Sequence, residues 1–165
     1  MFCAENGLAP GANSGQYAGG RGLSNDCRTE MSTETNKALV RRFWDEVANA
    51  HDTSKIADIL ADDFRLGGDD GLNRDGLTAV LNYYFGAFSD LHYTIEDIVA
   101  EGDTVMARLV MTGTHDGEYD SQPPTGRKFQ VEEVDGFIVT DGRIVSDRIV
   151  WDELGFRRQL GLPLA

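Results

Sequence analysis

Three carboxylates in the C-terminal third of the chain have a spacing that a β-hairpin would bring together. Glu133 and Asp135 are two residues apart, and Asp147 follows a turn signal, Thr140-Asp141-Gly142. Because side chains alternate along a strand, residues two apart lie on the same face of a sheet. Buried carboxylates that lie close together raise one pKa toward neutrality, which suits a general acid or base. The pattern predicts acid–base chemistry if these side chains face inward.

The turn decides which of these residues are neighbours. A three-residue loop, Thr140-Asp141-Gly142, is predicted between strands at 129–139 and 143–151, as a type I turn closed by a left-handed glycine. This register places Asp135 directly opposite Asp147, and Glu133 opposite Ile149. The shared face then carries Val131, Glu133, Asp135, Phe137, Val145, Asp147, Ile149 and Trp151. It is either the wall of a pocket with a polar floor or an acidic outer surface, and a slip of one residue would turn it over.

The totals of the sequence fit one globular domain and exclude several classes of partner. A chain of 165 residues can bury a core, and its net charge of -13 disfavours nucleic acid and anionic membranes. No apolar run approaches the roughly 18 residues of a membrane span. Cys3 and Cys27 precede the domain, and no Cys/His spacing indicates zinc. We therefore predict a cytoplasmic protein without a metal site.

The chain divides into an N-terminal extension, residues 1–31, and a domain, residues 32–165. The extension is rich in glycine, lacks apolar periodicity and is predicted to be flexible. Apolar spacing in the domain predicts helices at 32–50, from 53 or 54 to about 63, and from 75 to 88. Strands at 92–100 and 104–114, the hairpin and a short helix after Asp152 follow. This order predicts an α+β fold in which helices pack on a curved antiparallel sheet and enclose a pocket.

Five segments of the domain resemble the SnoaL-like polyketide cyclases, within the larger group similar to nuclear transport factor 2. The segments are 88–97 (FSDLHYTIED), 113–118 (GTHDGE), 123–127 (PPTGR), 141–145 (DGRIV) and 151–155 (WDELG). The resemblance spans about residues 36–161. It implies a cone-shaped α+β fold around a hydrophobic pocket. It also implies ring closure of an aromatic polyketide ester by aldol condensation, without a metal or an organic cofactor.

The resemblance also implies a proton-transferring aspartate on the last strand and a histidine on the strand before it. This chain has Ile149 at the first position and Asp135 at the second. Because isoleucine cannot transfer a proton, the family's aldol mechanism does not carry over unchanged. Asp135 and Asp147 are the predicted catalytic dyad, unless solvent or a neighbouring arginine neutralises one of them. His115 is a further catalytic candidate, with hydrogen bonding at the end of a strand as its alternative role.

These observations predict a cofactor-free cyclase or isomerase that acts by acid–base chemistry on a hydrophobic, carbonyl-bearing, polyketide-like small molecule. The residues expected to line its pocket are Trp44, Phe64, Tyr84, Phe88, Leu109, Met111, Glu133, Phe137, Ile149 and Trp151. One alternative is a non-catalytic small-molecule-binding or dimerisation module, which the loss of the family acid at Ile149 favours. A weaker one is an epoxide hydrolase, which would need an arginine between two acids, whereas Arg148 is predicted on the opposite face. That outer face, with Val134, Ile138, Ile144 and Val150, is apolar enough to predict a homodimer.

Overall fold

The computed structural model describes residues 25–164, with side chains described for residues 32–164. Most of the predicted extension, residues 1–24, therefore lies outside the described residues. The helices are α1 (Asn25–Phe43), continued by a π-helical turn (Trp44–Ala48), a 3₁₀ turn (Thr53–Lys55), α2 (Ile56–Ile59), α3 (Arg74–Ala87) and α4 (Glu153–Leu160). The strands are β1 (Leu60–Leu66), β2 (His92–Glu101), β3 (Thr104–Thr114), β4 (Lys128–Thr140) and β5 (Arg143–Trp151).

Two helices differ from the sequence prediction. Helix α1 begins at Asn25 rather than Ser32, because no glycine or proline between 25 and 35 interrupts it. The predicted second helix is much shorter than expected, and Leu60–Leu66 forms strand β1 instead. The apolar residues of this segment are spaced like those of a helix. The segment is nevertheless a strand, because it pairs in parallel with β5, which lies more than 70 residues further along the chain.

The sheet has the strand order β1-β5-β4-β3-β2 and remains open at both edges. Strands β2 to β5 are antiparallel, as predicted, whereas β1 makes the sheet mixed. The inner face buries alternate residues of β3 and β4, which pack mainly against α1 and α4, including the predicted row Val105, Ala107, Leu109 and Met111. The predicted α+β arrangement, helices on one face of a sheet, is confirmed.

The β4–β5 turn is shorter than predicted. Asp141 and Gly142 form a two-residue turn with φ values of 51° and 72°, and Thr140 pairs with Arg143. Positive φ at both positions is the geometry that favours Asp-Gly in hairpins. A bulge in β5, opposite Ile138 and Val139, then shifts the register. As a result, Asp135 pairs with Ile149 and Glu133 with Trp151, so the predicted direct pairing of Asp135 with Asp147 is wrong.

After the bulge, from Asp147 onward, the residues of β5 lie on the faces predicted for them. Before it, at Ile144 and Val145, the faces differ from the prediction. Asp147 pairs with Phe137 and stays on the inner face. Val145, predicted to face inward, lies at the bulge and is half-buried. Ile144, predicted on the outer face, is fully buried, because its pairing with Val139 turns it toward the core.

None of the helices within residues 25–164 has the length and apolar character needed to cross a membrane.

Candidate functional site

A cavity of about 290 Å³ lies between the helices and the inner face of the sheet. The end of α1, one side of α3 and the distal part of β5 form its walls. Its lining residues are Phe43, Trp44, Leu66, Gly67, Leu77, Val80, Leu81, Tyr84, Tyr93, Met111, Glu133, Asp147, Ile149 and Trp151. The lining is apolar apart from two carboxyl groups, two phenol hydroxyls and two indole N–H groups, as expected for a small-molecule site.

The two carboxyl groups in the cavity wall come from adjacent strands. Glu133 on β4 is 6% exposed and Asp147 on β5 is 3% exposed. Asp135, two residues after Glu133, faces the same side but is completely buried and does not line the cavity. Alternation along β4 places Glu133 and Asp135 on the same face, and the bulge in β5 brings Asp147 to that face as well. The structure thus gathers all three carboxyl groups and places Glu133 and Asp147 at the cavity.

These carboxyl groups have few polar neighbours. Neither side-chain oxygen of Asp135, nor Oδ1 of Asp147, has a hydrogen-bond partner in the part of the chain that the structure describes. The ion pairs observed within residues 32–164 involve other acids. Arg148 is exposed, consistent with its predicted position on the outer face. The three carboxyl groups are therefore shielded from solvent, and none of them takes part in an ion pair observed among residues 32–164.

Burial therefore governs the protonation of the three acids. Burial raises the pKa of Glu133 to about 7, while the contact with Asp135 acts in the opposite direction. Burial first, and then the charge of Glu133, raises the pKa of Asp147 above its usual range. The pKa of Asp135 is raised furthest, by burial and then by the charges of Asp147 and Glu133. Near neutral pH such a cluster contains both neutral and ionised carboxyl groups, so it can donate and accept protons.

His115 lies away from the cavity and forms hydrogen bonds with the loop that follows β3. It is completely buried, and its Nδ1 accepts a hydrogen bond from the backbone N–H of Thr125 at 3.3 Å. Its backbone N–H donates to the carbonyl of Arg127, and its carbonyl accepts from the N–H of Gly126. Burial lowers the pKa of the His115 imidazole, which favours the neutral ring. These contacts support the alternative role, hydrogen bonding at the end of the strand.

The same loop contains a glycine that its packing requires. A Cβ on Gly117 would lie 1.9 Å from the carbonyl oxygen of Gly86 in α3, whereas a Cβ on Gly86 would meet nothing within 4 Å. We expect Gly117→Ala to lower the free energy of unfolding by about 2 kcal/mol or more, because backbone must move. Gly86→Ala, the matched control, should raise it by about 0.5–1 kcal/mol, since alanine favours a helix. Urea unfolding would measure both, and an unchanged stability of Gly117→Ala would contradict this packing.

The predicted lining residues separate into two groups. Trp44, Tyr84, Met111, Glu133, Ile149 and Trp151 line the cavity. Phe64, Phe88, Leu109 and Phe137 lie in the core, each 1% exposed or less, because helices and sheet meet there without a gap. Phe88, for example, packs against Phe129 and Phe156, with ring centroids at 5.2 and 5.6 Å.

Sequence reasoning missed several lining residues, above all Tyr93, Leu66 at the end of β1 and Gly67, which follows it. Leu77, Leu81 and Tyr84 form the apolar stripe of α3, and spacing alone cannot distinguish a stripe that lines a cavity from one that fills a core. Among the side chains described, those of residues 32–164, no group of three or more His, Cys, Asp or Glu could hold a metal ion.

Comparisons with known proteins find both sequence and structural relatives. The family model described as SnoaL-like polyketide cyclase matches residues 38–160. Aklanonic acid methyl ester cyclase DnrD of Streptomyces peucetius is 32% identical over 140 residues, covering 81% of this chain and 94% of that protein.

Two crystal structures of Streptomyces proteins also match. IdmH of Streptomyces antibioticus, a proposed polyketide cyclase, is 30% identical with a TM-score of 0.68, covering 77% of this chain and 99% of its own. AclR of Streptomyces galilaeus, a proposed hydroxylase, is 28% identical with a TM-score of 0.72, covering 80% and 100%. Because these structural relatives differ in their proposed reactions, the fold by itself does not determine the chemistry.

Proposed function

Because the chain belongs to the SnoaL-like polyketide cyclase family, we propose that it closes or rearranges a ring of a carbonyl-bearing, polyketide-like molecule by acid–base chemistry, without a cofactor. The observation that carries this proposal is the pair of carboxyl groups, Glu133 and Asp147, in the wall of an apolar cavity. Burial raises the pKa of both groups. A carboxyl group poised near neutral pH is suited to proton transfer next to a carbonyl.

The proposed reaction uses the two groups in turn. The ionised carboxylate removes a proton from the carbon next to a carbonyl, and leaves an enolate. In a cyclase, the enolate carbon forms a bond to a second carbonyl carbon of the same molecule. The resulting alkoxide then takes a proton from the neutral carboxyl group. In an isomerase, the enolate instead takes that proton on another carbon, so atoms and charge balance in both reactions.

This assignment moves the acid–base function away from the position that the family resemblance implies. Ile149 occupies that position and lines the cavity, and its cross-strand neighbour is Asp135. Asp147 lies two residues before Ile149 on the same face of β5. Glu133 replaces Asp135 as the partner of Asp147 that faces the cavity. Asp135, buried behind the cavity wall, lowers the pKa of Glu133.

Aklanonic acid methyl ester is the first substrate to test, because the name of the relative DnrD specifies it. The experiment incubates the full chain with this ester and follows ring closure by liquid chromatography and mass spectrometry. A product of unchanged mass with a new ring, formed faster than without protein, would support the proposal. The same ester bound but recovered unchanged would instead favour the alternative function, non-catalytic binding, to which Ile149 points.

A homodimer through the outer face of the sheet is also part of this proposal. Exposed apolar side chains gather there, namely Val99, Met106, Val134, Ile138 and Val150. We expect the wild type to elute as a dimer in sizing chromatography and Val150→Asp to shift it toward monomer, because a charge would be buried at the contact. Leu154→Asp, at an exposed position on α4, is the matched control and should leave the dimer intact. A monomeric wild type would contradict the dimer.

Location in the cytoplasm stays a prediction.

A further inference from the structure

Trp44 occupies a special place at the edge of the cavity. Helix α1 ends one residue before it, and the π-helical turn Trp44–Ala48 continues the chain. Such turns are rare and redirect side chains, often at functional sites. This one is held by Asn49, whose N–H donates to the carbonyl of Trp44 at 2.8 Å. The Asn49 side chain also forms two hydrogen bonds with the backbone of Tyr93 in β2. The turn thus fixes Trp44 against Tyr93, with ring centroids 4.7 Å apart.

The indole N–H of Trp44 is buried without a hydrogen-bond acceptor in the part of the chain that the structure describes. The residue is 4% exposed and lines the cavity. Its other ring neighbours, Phe43 and Phe137, offer no acceptor. Leaving a buried donor unpaired is unfavourable, and an indole N–H can only donate. An acceptor atom on a ligand in the cavity would satisfy it.

A second unpaired group in the same cavity complements this donor. Oδ1 of Asp147 is also buried without a partner among residues 32–164. The two residues that carry these unpaired atoms both line the cavity, Trp44 on its helical side and Asp147 on its sheet side. This arrangement selects a ligand that has an acceptor oxygen at one position and an acidic hydrogen at another.

We propose that Trp44 Nε1–H binds the carbonyl oxygen of the ligand and, once a proton has been removed, the enolate oxygen. The inference rests on the proposed function, because it assigns a binding residue to the same cavity. A donor aimed at the oxygen on which negative charge develops stabilises the enolate more than the neutral carbonyl. Trp44 would thereby set which end of the substrate faces the carboxyl groups.

The test compares two rigid probes of equal shape, 9-fluorenone, which has a carbonyl oxygen, and fluorene, which has none. Trp44 is replaced by β-(3-benzothienyl)alanine, which keeps the size of the ring system and exchanges the N–H for sulfur. The same replacement at Trp151, which also lines the cavity, is the matched control. Binding is measured by calorimetry, and the carbonyl stretch of bound fluorenone by infrared spectroscopy in the wild type and in both variants.

We expect fluorenone to bind about five- to tenfold more weakly to the Trp44 variant, with fluorene binding unchanged. The carbonyl stretch should lie at lower frequency in the wild type and in the Trp151 variant than in the Trp44 variant. An unshifted stretch in the wild type, with equal fluorenone affinity in all three proteins, would overturn the role of Trp44 and leave the proposed function standing. Failure of both probes to bind the wild type would overturn the role of Trp44, whereas the proposed function is decided by turnover of aklanonic acid methyl ester. An unshifted stretch in the wild type would overturn the role of Trp44 even if the variant folded poorly.

Discussion

Glu133→Gln and Asp147→Asn are each expected to slow the proposed ring-closing reaction by about 100-fold or more, because each removes one proton-transfer group. Both substitutions keep the size of the side chain, and both positions are buried in the cavity wall. Rates would be measured under single-turnover conditions, so that proton transfer is separated from binding and product release. Circular dichroism would establish that each variant is folded.

Glu132→Gln provides a matched control for this prediction. Glu132 is the neighbour of Glu133 on β4, faces outward and forms an ion pair with Arg108 on the surface. Its replacement should leave the rate unchanged. If Glu133→Gln and Asp147→Asn turned over substrate as fast as Glu132→Gln does, the cavity carboxyl groups would not be catalytic. A reaction that occurs normally in both variants would leave only binding as the function of the cavity carboxyl groups.

Asp135→Asn is expected to make the protein more stable than the wild type at neutral pH, by a margin that grows with pH. The pKa of Asp135 is raised in the folded state above its value of about 3.9 in an unfolded chain. Above pH 4 the unfolded chain therefore releases a proton that the folded protein retains, so the wild type loses stability as pH rises. The neutral asparagine does not titrate. The margin should grow by about 1.4 kcal/mol for each pH unit between pH 5 and 7.

Urea unfolding of both proteins at pH 4, 5, 6 and 7 would measure this margin. The comparison at pH 4, near the pKa of about 3.9 of an aspartic acid in an unfolded chain, lies closest to the effect of the amide itself, because titration adds least to the margin there. Parallel stability curves for the two proteins would contradict the assignment of Asp135 as a buried, neutral acid. A margin that shrank with rising pH would mean that the folded protein stabilises the ionised form.

The sequence was sufficient to place the acids on one face but not to pair them. Alternation along β4 determined that Glu133 and Asp135 share a face. For Asp147 the prediction assumed a three-residue loop, whereas the structure has a two-residue turn and a bulge. These two routes differ by an even number of residues, so the face was correct and the cross-strand partners were wrong. A bulge depends on packing across the whole sheet and leaves no local signal in the sequence.

The sequence also left open which carboxyl group faces the cavity. Glu133 and Asp135 have the same chemistry and the same face, and only the position of the helices decides how deeply each is covered. Strand β1 was not predicted, because the parallel pairing that defines it involves residues of β5, far along the chain. The core phenylalanines Phe64, Phe88 and Phe137 could not be distinguished from lining residues, since both environments select large apolar side chains.

The most direct test of the central claim, a proton-transferring carboxyl pair in an apolar cavity, is a titration of the ligand-free protein. Carboxyl ¹³C NMR of labelled protein, assigned with Glu133→Gln and Asp147→Asn, reports the protonation of each group. Glu133 is expected to titrate near pH 7, and Asp147 above its usual range. If both groups titrated near pH 4, like acids in water, they would be fully ionised at neutral pH, which would contradict the proposed acid–base function.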